Sequence, residues 1–147
     1  MTDGRLRIYF AGSIRGGRED AALYRELIAF LSEKGEVLTE HVGAADVRER
    51  EKDLSDREIY ERDVALIRAC DVLVAECTRP SLGVGYELAY AEAAGKPCLL
   101  LYRGEEGTLS AMLSGNAAFP VYRYADADEA KRILDAAFAA RDFAGSV

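Results

Sequence analysis

Short apolar runs alternate along this chain with longer stretches of helical period. Leu6-Arg7-Ile8-Tyr9-Phe10-Ala11 and Asp71-Val72-Leu73-Val74-Ala75-Glu76 read as buried strands. Strands are expected near 5–11, 36–39, 71–76, 97–102 and 119–123, and helices near 19–34, 56–69, 84–95, 109–115 and 127–141. Two helix starts carry capping-box spacing, Ser55-x-x-Glu58 and Asp126-x-x-Glu129. Gly35 and Gly95 stand where C-terminal caps belong. The alternation predicts an α/β fold, a five-stranded parallel sheet wound on both faces in the order 2-1-3-4-5, of flavodoxin/Rossmann-like type. Residues 1–147 are expected to form a single domain. The stretch from Gly43 to Asp56 is polar, mixed in charge and irregular, and reads as a mobile flap or a solvated linker.

Sheets of this order bind ligands beyond the C-terminal ends of strands 1 and 3. Both ends carry glycine loops. The first runs Gly12-Ser13-Ile14-Arg15-Gly16-Gly17-Arg18 and the second Arg79-Pro80-Ser81-Leu82-Gly83-Val84-Gly85. Glycines let a ligand approach the backbone, and helix starts favour anions. The Arg15 guanidinium suits phosphate oxygens. Neither loop is a Gly-x-Gly-x-x-Gly fingerprint or a Walker A sequence, which argues against a dinucleotide site and an ordinary P-loop. Each alone is also compatible with a plain tight turn; together they favour one phosphate site.

Composition narrows the classes. Half of the 147 residues are apolar and 31% are charged, as in an ordinary globule. The formal net charge of −7 disfavours binding to a nucleic-acid polymer. No apolar run is long enough to cross a membrane, and the first residues lack a signal-peptide core. Cys70, Cys77 and Cys98 show no metal-ligand spacing and read as reduced core residues of a cytoplasmic protein.

Two carboxylates stand out. Glu87 is expected in the first turn of the helix after the second glycine loop, held ionised by the helix terminus. Helical spacing puts Asp63 between Ile59 and Ile67, flanked by Tyr60 and Val64. An acid on an apolar stripe needs a reason, because burying an unpaired carboxylate is costly. It is either a raised-pKa general acid or a structural acid paired with arginine or backbone N–H groups. Nucleophile plus acid is the logic of retaining glycoside cleavage, with the carboxyl groups roughly 5–5.5 Å apart. His41, the single histidine, reads as a structural or substrate-contacting group rather than a base.

Tyr9-Phe10-Ala11-Gly12-Ser13-Ile14-Arg15-Gly16-Gly17-Arg18-Glu19-Asp20 closely resembles the opening of the 2'-deoxynucleoside 5'-phosphate N-hydrolases, within the nucleoside 2-deoxyribosyltransferase superfamily. Val37 to Val42, Pro80 to Leu88 and Leu109-Ser110-Ala111-Met112 match as well, and the likeness is weak only across 43–56 and the C-terminal helix. The resemblance implies hydrolysis of deoxynucleoside 5'-monophosphates to free base and 2-deoxyribose 5-phosphate, with no metal or organic cofactor. It makes Glu87 the nucleophile, Asp63 the acid that protonates the departing base, and Tyr9 the residue that orients Glu87. Ser13, Arg15, Gly16, Ser81 and Gly83 match the phosphate cradle, with Ile14 and Met112 counted among the substrate-binding residues. Ser110 matches a serine delivered by the neighbouring subunit, which implies a homodimer; on spacing alone it is equally a helix N-cap. Other readings are a deoxyribosyltransferase, a pyrimidine ribonucleotide (CMP-type) N-hydrolase and a nucleotide-binding module without catalysis.

Overall fold

The computed structural model describes residues 5–14, 20–44, 46–105 and 107–141. Five parallel strands form one sheet in the order β2-β1-β3-β4-β5, as the alternation predicts. They are β1 Arg7–Ala11, β2 Glu36–Val37, β3 Val72–Glu76, β4 Cys98–Tyr102 and β5 Val121–Arg123. The helices among the described residues are α1 Ala21–Leu31, α2 Val47–Glu51, α3 Asp56–Ala69, α4 Leu82–Ala93, α5 Ala111–Ser114 and α6 Ala127–Ala140.

Strand parity divides the core into two layers. Ile8, Phe10, Val72, Val74, Leu99 and Leu101 point to one face, where Leu27 and Leu31 of α1 and Leu134 of α6 cover them. Tyr9, Ala11, Leu73, Ala75 and Leu100 point to the other, under Ile67 of α3 and Leu88 of α4. Tyr9 therefore faces the two helices that carry Asp63 and Glu87.

Several boundaries move for local reasons. β2 ends at Val37, but its pairing continues by other means. Leu38 N–H donates to Ile8 O at 2.8 Å. The Thr39 hydroxyl then accepts from Phe10 N–H at 2.9 Å and donates to Phe10 O at 2.7 Å. A buried side chain thus replaces the next strand residue, and the chain turns into a 3-10 turn at Glu40–Gly43. Helix α1 ends at Leu31, and Gly35 is no left-handed cap. It is needed because a Cβ there would lie 2.2 Å from the Leu6 carbonyl oxygen. Gly95, at φ 75°, does cap α4: its N–H bonds Glu92 O and that of Lys96 bonds Ala91 O, the Schellman pattern.

The Ser55–Glu58 box closes in both directions, each bond 3.1 Å. At α6 the Asp126 side chain accepts from Glu129 N–H, but Glu129 reaches back to Ala125 N–H instead of to Asp126. The irregular stretch after Gly43 contains a helix, α2, whose Val47 is fully buried. One apolar anchor in five residues is too little for a periodic signal, so the sequence read it as flap or linker.

Candidate active site

Glu87 sits on α4, whose start is set by Ser81. The Ser81 hydroxyl caps the helix by accepting from Val84 N–H at 3.2 Å. The helix begins at Leu82, two residues earlier than the periodicity suggested, so Glu87 lies in the second turn rather than the first. Its electrostatics differ accordingly. Burial raises its pKa to about 7; Asp63 and Glu51 add to the rise, and a hydrogen bond from Tyr9 and the charge of Arg62 oppose it. The helix terminus does not hold this carboxylate ionised. Its charge is governed by burial and its neighbours.

Tyr9 donates its hydroxyl hydrogen to Glu87 Oε2. It is 1% exposed, and burial first, then Glu87 and Asp63, push its pKa far upward. The phenol therefore keeps its proton and acts as a fixed donor.

Asp63 is on α3 and within electrostatic reach of both Tyr9 and Glu87. The apolar stripe expected around it is incomplete. Val64 and Ile67 are buried, Ile59 is half-buried and Tyr60 is exposed. Asp63 is not unpaired, because Arg62 Nε donates to its Oδ1 at 2.9 Å. The other end of Arg62 donates to Glu51 Oε2 at 2.5 Å. His41, in the 3-10 turn, joins the group. Burial and Arg62 lower its pKa, partly offset by Asp63 and Glu51, so it is neutral near pH 7. Sequence reading missed Glu51 and Arg62, because neither lies in a motif.

The phosphate-site candidates are only partly visible. Arg15 and Gly16 lie outside the described residues. Ser13 is fully buried, and its N–H donates to the Tyr24 hydroxyl at 3.2 Å. The chain's own packing explains Gly12, since a Cβ there would lie 2.9 Å from the Tyr24 ring. It does not explain Gly83 or Gly85: a Cβ at Gly83 would meet only the Ser81 hydroxyl, at 3.8 Å, and one at Gly85 nothing within 4 Å. Ile14 is half-buried against the α1–α6 side of the core.

Ser110 is exposed and N-caps α5 by accepting from Met112 N–H at 3.3 Å. A cavity of about 710 Å³ runs beside the start of α4, with Ser81, Gly85, Leu109, Ser110 and Met112 in its wall. Tyr9, Asp63 and Glu87 do not line it. This cavity and the carboxylate pair thus flank the start of α4 separately.

A brace stiffens the same edge of the sheet. Asp20, just before α1, takes Arg103 at 2.8 Å and Arg79 at 3.7 Å. Arg103 N–H donates to the Thr78 hydroxyl at 2.9 Å, and Thr78 N–H to the buried Glu76 carboxylate at 2.7 Å. Burial raises the pKa of Glu76. The described residues contain no group of three or more His, Cys, Asp or Glu side chains able to hold a metal, and no helix long and apolar enough to cross a membrane.

Doubly wound sheets bind small ligands at the switch between β1 and β3. In this chain a tyrosine-held carboxylate lies there, with a second acid within electrostatic range. The chain belongs to the nucleoside 2-deoxyribosyltransferase family, whose profile matches residues 8–136. It is 50% identical over 139 residues to the 5-hydroxymethyl-dUMP N-hydrolase of Mus musculus, covering 90% of this chain and 80% of the relative. To the Homo sapiens protein of that name it is 47% identical over 143 residues, covering 93% and 82%. Among solved structures, the Clostridium botulinum CMP N-glycosidase BcmB shares the fold, with a TM-score of 0.69 at 24% identity over 90% of this chain and 99% of that one.

Proposed function

We propose that this protein hydrolyses the N-glycosidic bond of 2'-deoxynucleoside 5'-monophosphates, releasing free base and 2-deoxyribose 5-phosphate. The observation that carries this reading is the Tyr9–Glu87 hydrogen bond with Asp63 in electrostatic range. The names of relatives at about half identity point the same way, and make 5-hydroxymethyl-dUMP the first substrate to try.

Ionised Glu87 attacks C1' as the C1'–N bond breaks. The transition state carries oxocarbenium character, which a neighbouring carboxylate stabilises electrostatically as well as covalently. Tyr9 fixes the attacking group's rotamer. The base leaves with the bonding pair, and Asp63 supplies a proton to it. Water then attacks the glycosyl ester, Asp63 takes the water's proton, and Glu87 is freed. His41, neutral and within electrostatic range of Asp63, is the residue that would contact the base.

The 5'-phosphate lies against the glycine loops, with Ser13, Arg15, Gly16, Ser81 and Gly83 as its cradle. The open space over Gly83 and Gly85 supports this, because nothing in the chain itself requires a missing side chain there. The active form is a homodimer, and each subunit's Ser110 and Met112 reach the other's phosphate end. Leu82, 96% exposed, and Met112, 81% exposed, are the apolar surface such a partner would cover. One observation favours a rival placement: Ser81 and Ser110 of one chain line the same cavity, so Ser110 would serve its own subunit's site.

The test is release of free base from a panel of ribo- and deoxynucleotides and their nucleosides. Deoxynucleoside monophosphates should be the substrates, and Glu87→Gln should lose on the order of a thousandfold or more in turnover. Near-normal turnover by that variant overturns the covalent mechanism. Equal rates with and without the 5'-phosphate would favour the transferase reading, and preference for CMP the ribonucleotide one.

A further inference from the structure

Arg62 and Asp63 are consecutive on α3, and consecutive helix side chains do not normally face each other. Here the guanidinium nevertheless folds back onto Asp63 Oδ1 at 2.9 Å. Its other end is held by Glu51 Oε2 at 2.5 Å, from the last residue of α2. None of the three side chains is more than 31% exposed. Helix α2 is thus pinned at its start by buried Val47 and at its end by Arg62, while Arg48, Glu49 and Arg50 between them are exposed. A guanidinium suits this double duty, since its planar fork presents fixed donors in two directions and lysine's ammonium does not.

The arrangement has consequences for Asp63. With Oδ1 committed to Arg62, Oδ2 carries no hydrogen bond from the described residues. Glu51 and Glu87 also face this region, with Tyr9, His41 and Arg50, and Arg62 is the cation that contacts two of the three carboxylates.

We propose that Arg62 is a positioning residue that holds Asp63 by Oδ1, leaves Oδ2 for the departing base, and links that acid to α2 through Glu51. It rests on Asp63 being the acid of the proposed hydrolysis.

The experiment compares leaving groups. One substrate is 5-hydroxymethyl-dUMP, whose base needs a proton to depart. The other is 2-deoxyribose 5-phosphate carrying 4-nitrophenolate at C1, which departs without one. The first, bond-breaking step is followed alone, in a burst or single turnover, because the water step in which Asp63 acts as base is common to both substrates. Asp63→Asn and Arg62→Gln should both slow single-turnover base release, Arg62→Gln roughly tenfold or more. The nitrophenolate burst should slow by no more than about threefold in either variant, a fraction of what an acid contributes. Arg62→Lys should lie between wild type and Arg62→Gln. Glu51→Gln keeps the Arg62–Asp63 bond, so it should raise KM without separating the two leaving groups. Circular dichroism and melting of each variant control for folding.

Equal losses on both substrates, or none on either, with Arg62→Gln would overturn the proposal and leave an ordinary ion pair. If Asp63→Asn separates the leaving groups and Arg62→Gln does not, only the role of Arg62 falls. If Asp63→Asn itself shows no separation, the acid assignment fails, and the role of Arg62 with it.

Discussion

In the proposed mechanism, Glu87 sets function against stability in a single side chain. Its ordinary pKa of 4.5 is raised to about 7, chiefly by burial. The folded state therefore binds the proton more tightly than the unfolded chain. Stability from this group is fully present below about pH 4.5 and is lost as pH rises to about 7. Above that, the buried charge costs about 3 kcal/mol. Glu87→Gln should accordingly melt roughly 5–10 °C higher than wild type at pH 8. The gap should close near pH 4.5, where the native carboxyl is already neutral. An equal gap at both pH values in scanning calorimetry would contradict the assignment. The proposed nucleophile needs the opposite form, so kcat/KM should fall as pH drops through about 7. A pH–rate profile flat from 8 to about 5 would show that Glu87 is ionised throughout that range.

At the level of elements, short-range chemistry decides where helices begin and end. Ser55 and Ser81 set the starts of α3 and α4 by capping, and these starts carry Asp63 and Glu87 to their places. The least expected device is Thr39, which continues the edge of the sheet by its side chain and launches the turn that bears His41. Thr39→Val keeps the shape but leaves the buried Phe10 N–H and C=O without these partners. The cost should be about 2–4 kcal/mol in denaturant unfolding, and KM should rise as His41 loses its support. Thr39→Ser retains the hydroxyl and should recover most of both. A valine variant as stable as wild type would mean that the turn is held elsewhere. The boundaries that sequence reading misplaced have a common origin. Gly35 has the position of a helix cap, yet its requirement comes from the Leu6 carbonyl, 29 positions earlier in the chain.

At the scale of the whole molecule, exposed Leu82, Tyr86 and Met112 form apolar surface that a partner would cover. A second copy is proposed, and subunit mixing tests it. Glu87→Gln and Ser110→Trp should each be inactive alone. If Ser110 acts across the interface, a mixed dimer has one doubly damaged site and one intact site. Activity should then return to roughly a quarter of wild type after exchange of equal amounts, since half the dimers are mixed and each has one good site. No recovery despite exchange, verified by mass-tagged subunits, would put Ser110 in its own chain's site. Sedimentation of a monomer at assay concentration would remove the dimer altogether.

The residues alone determined the strand order, both sheet faces, the two closed or half-closed caps and the glycine loops. Each of these depends on neighbours a few positions away or on a simple period of two or 3.6 residues. They also brought Tyr9, Asp63 and Glu87 forward, through motif and resemblance. Only the tertiary structure decided how these meet. Tyr9 reaches Glu87 across 78 positions because odd strand positions of β1 face α3 and α4. Glu51 and Arg62 were invisible beforehand, since α2 has one buried anchor and no period, and a salt bridge between helices leaves no mark in either segment. The protonation of Glu87 belongs to the same class. The local helix terminus argues for an ionised carboxylate, whereas desolvation where α4 meets Tyr9 of β1 and Asp63 of α3, a property of the whole fold, raises its pKa.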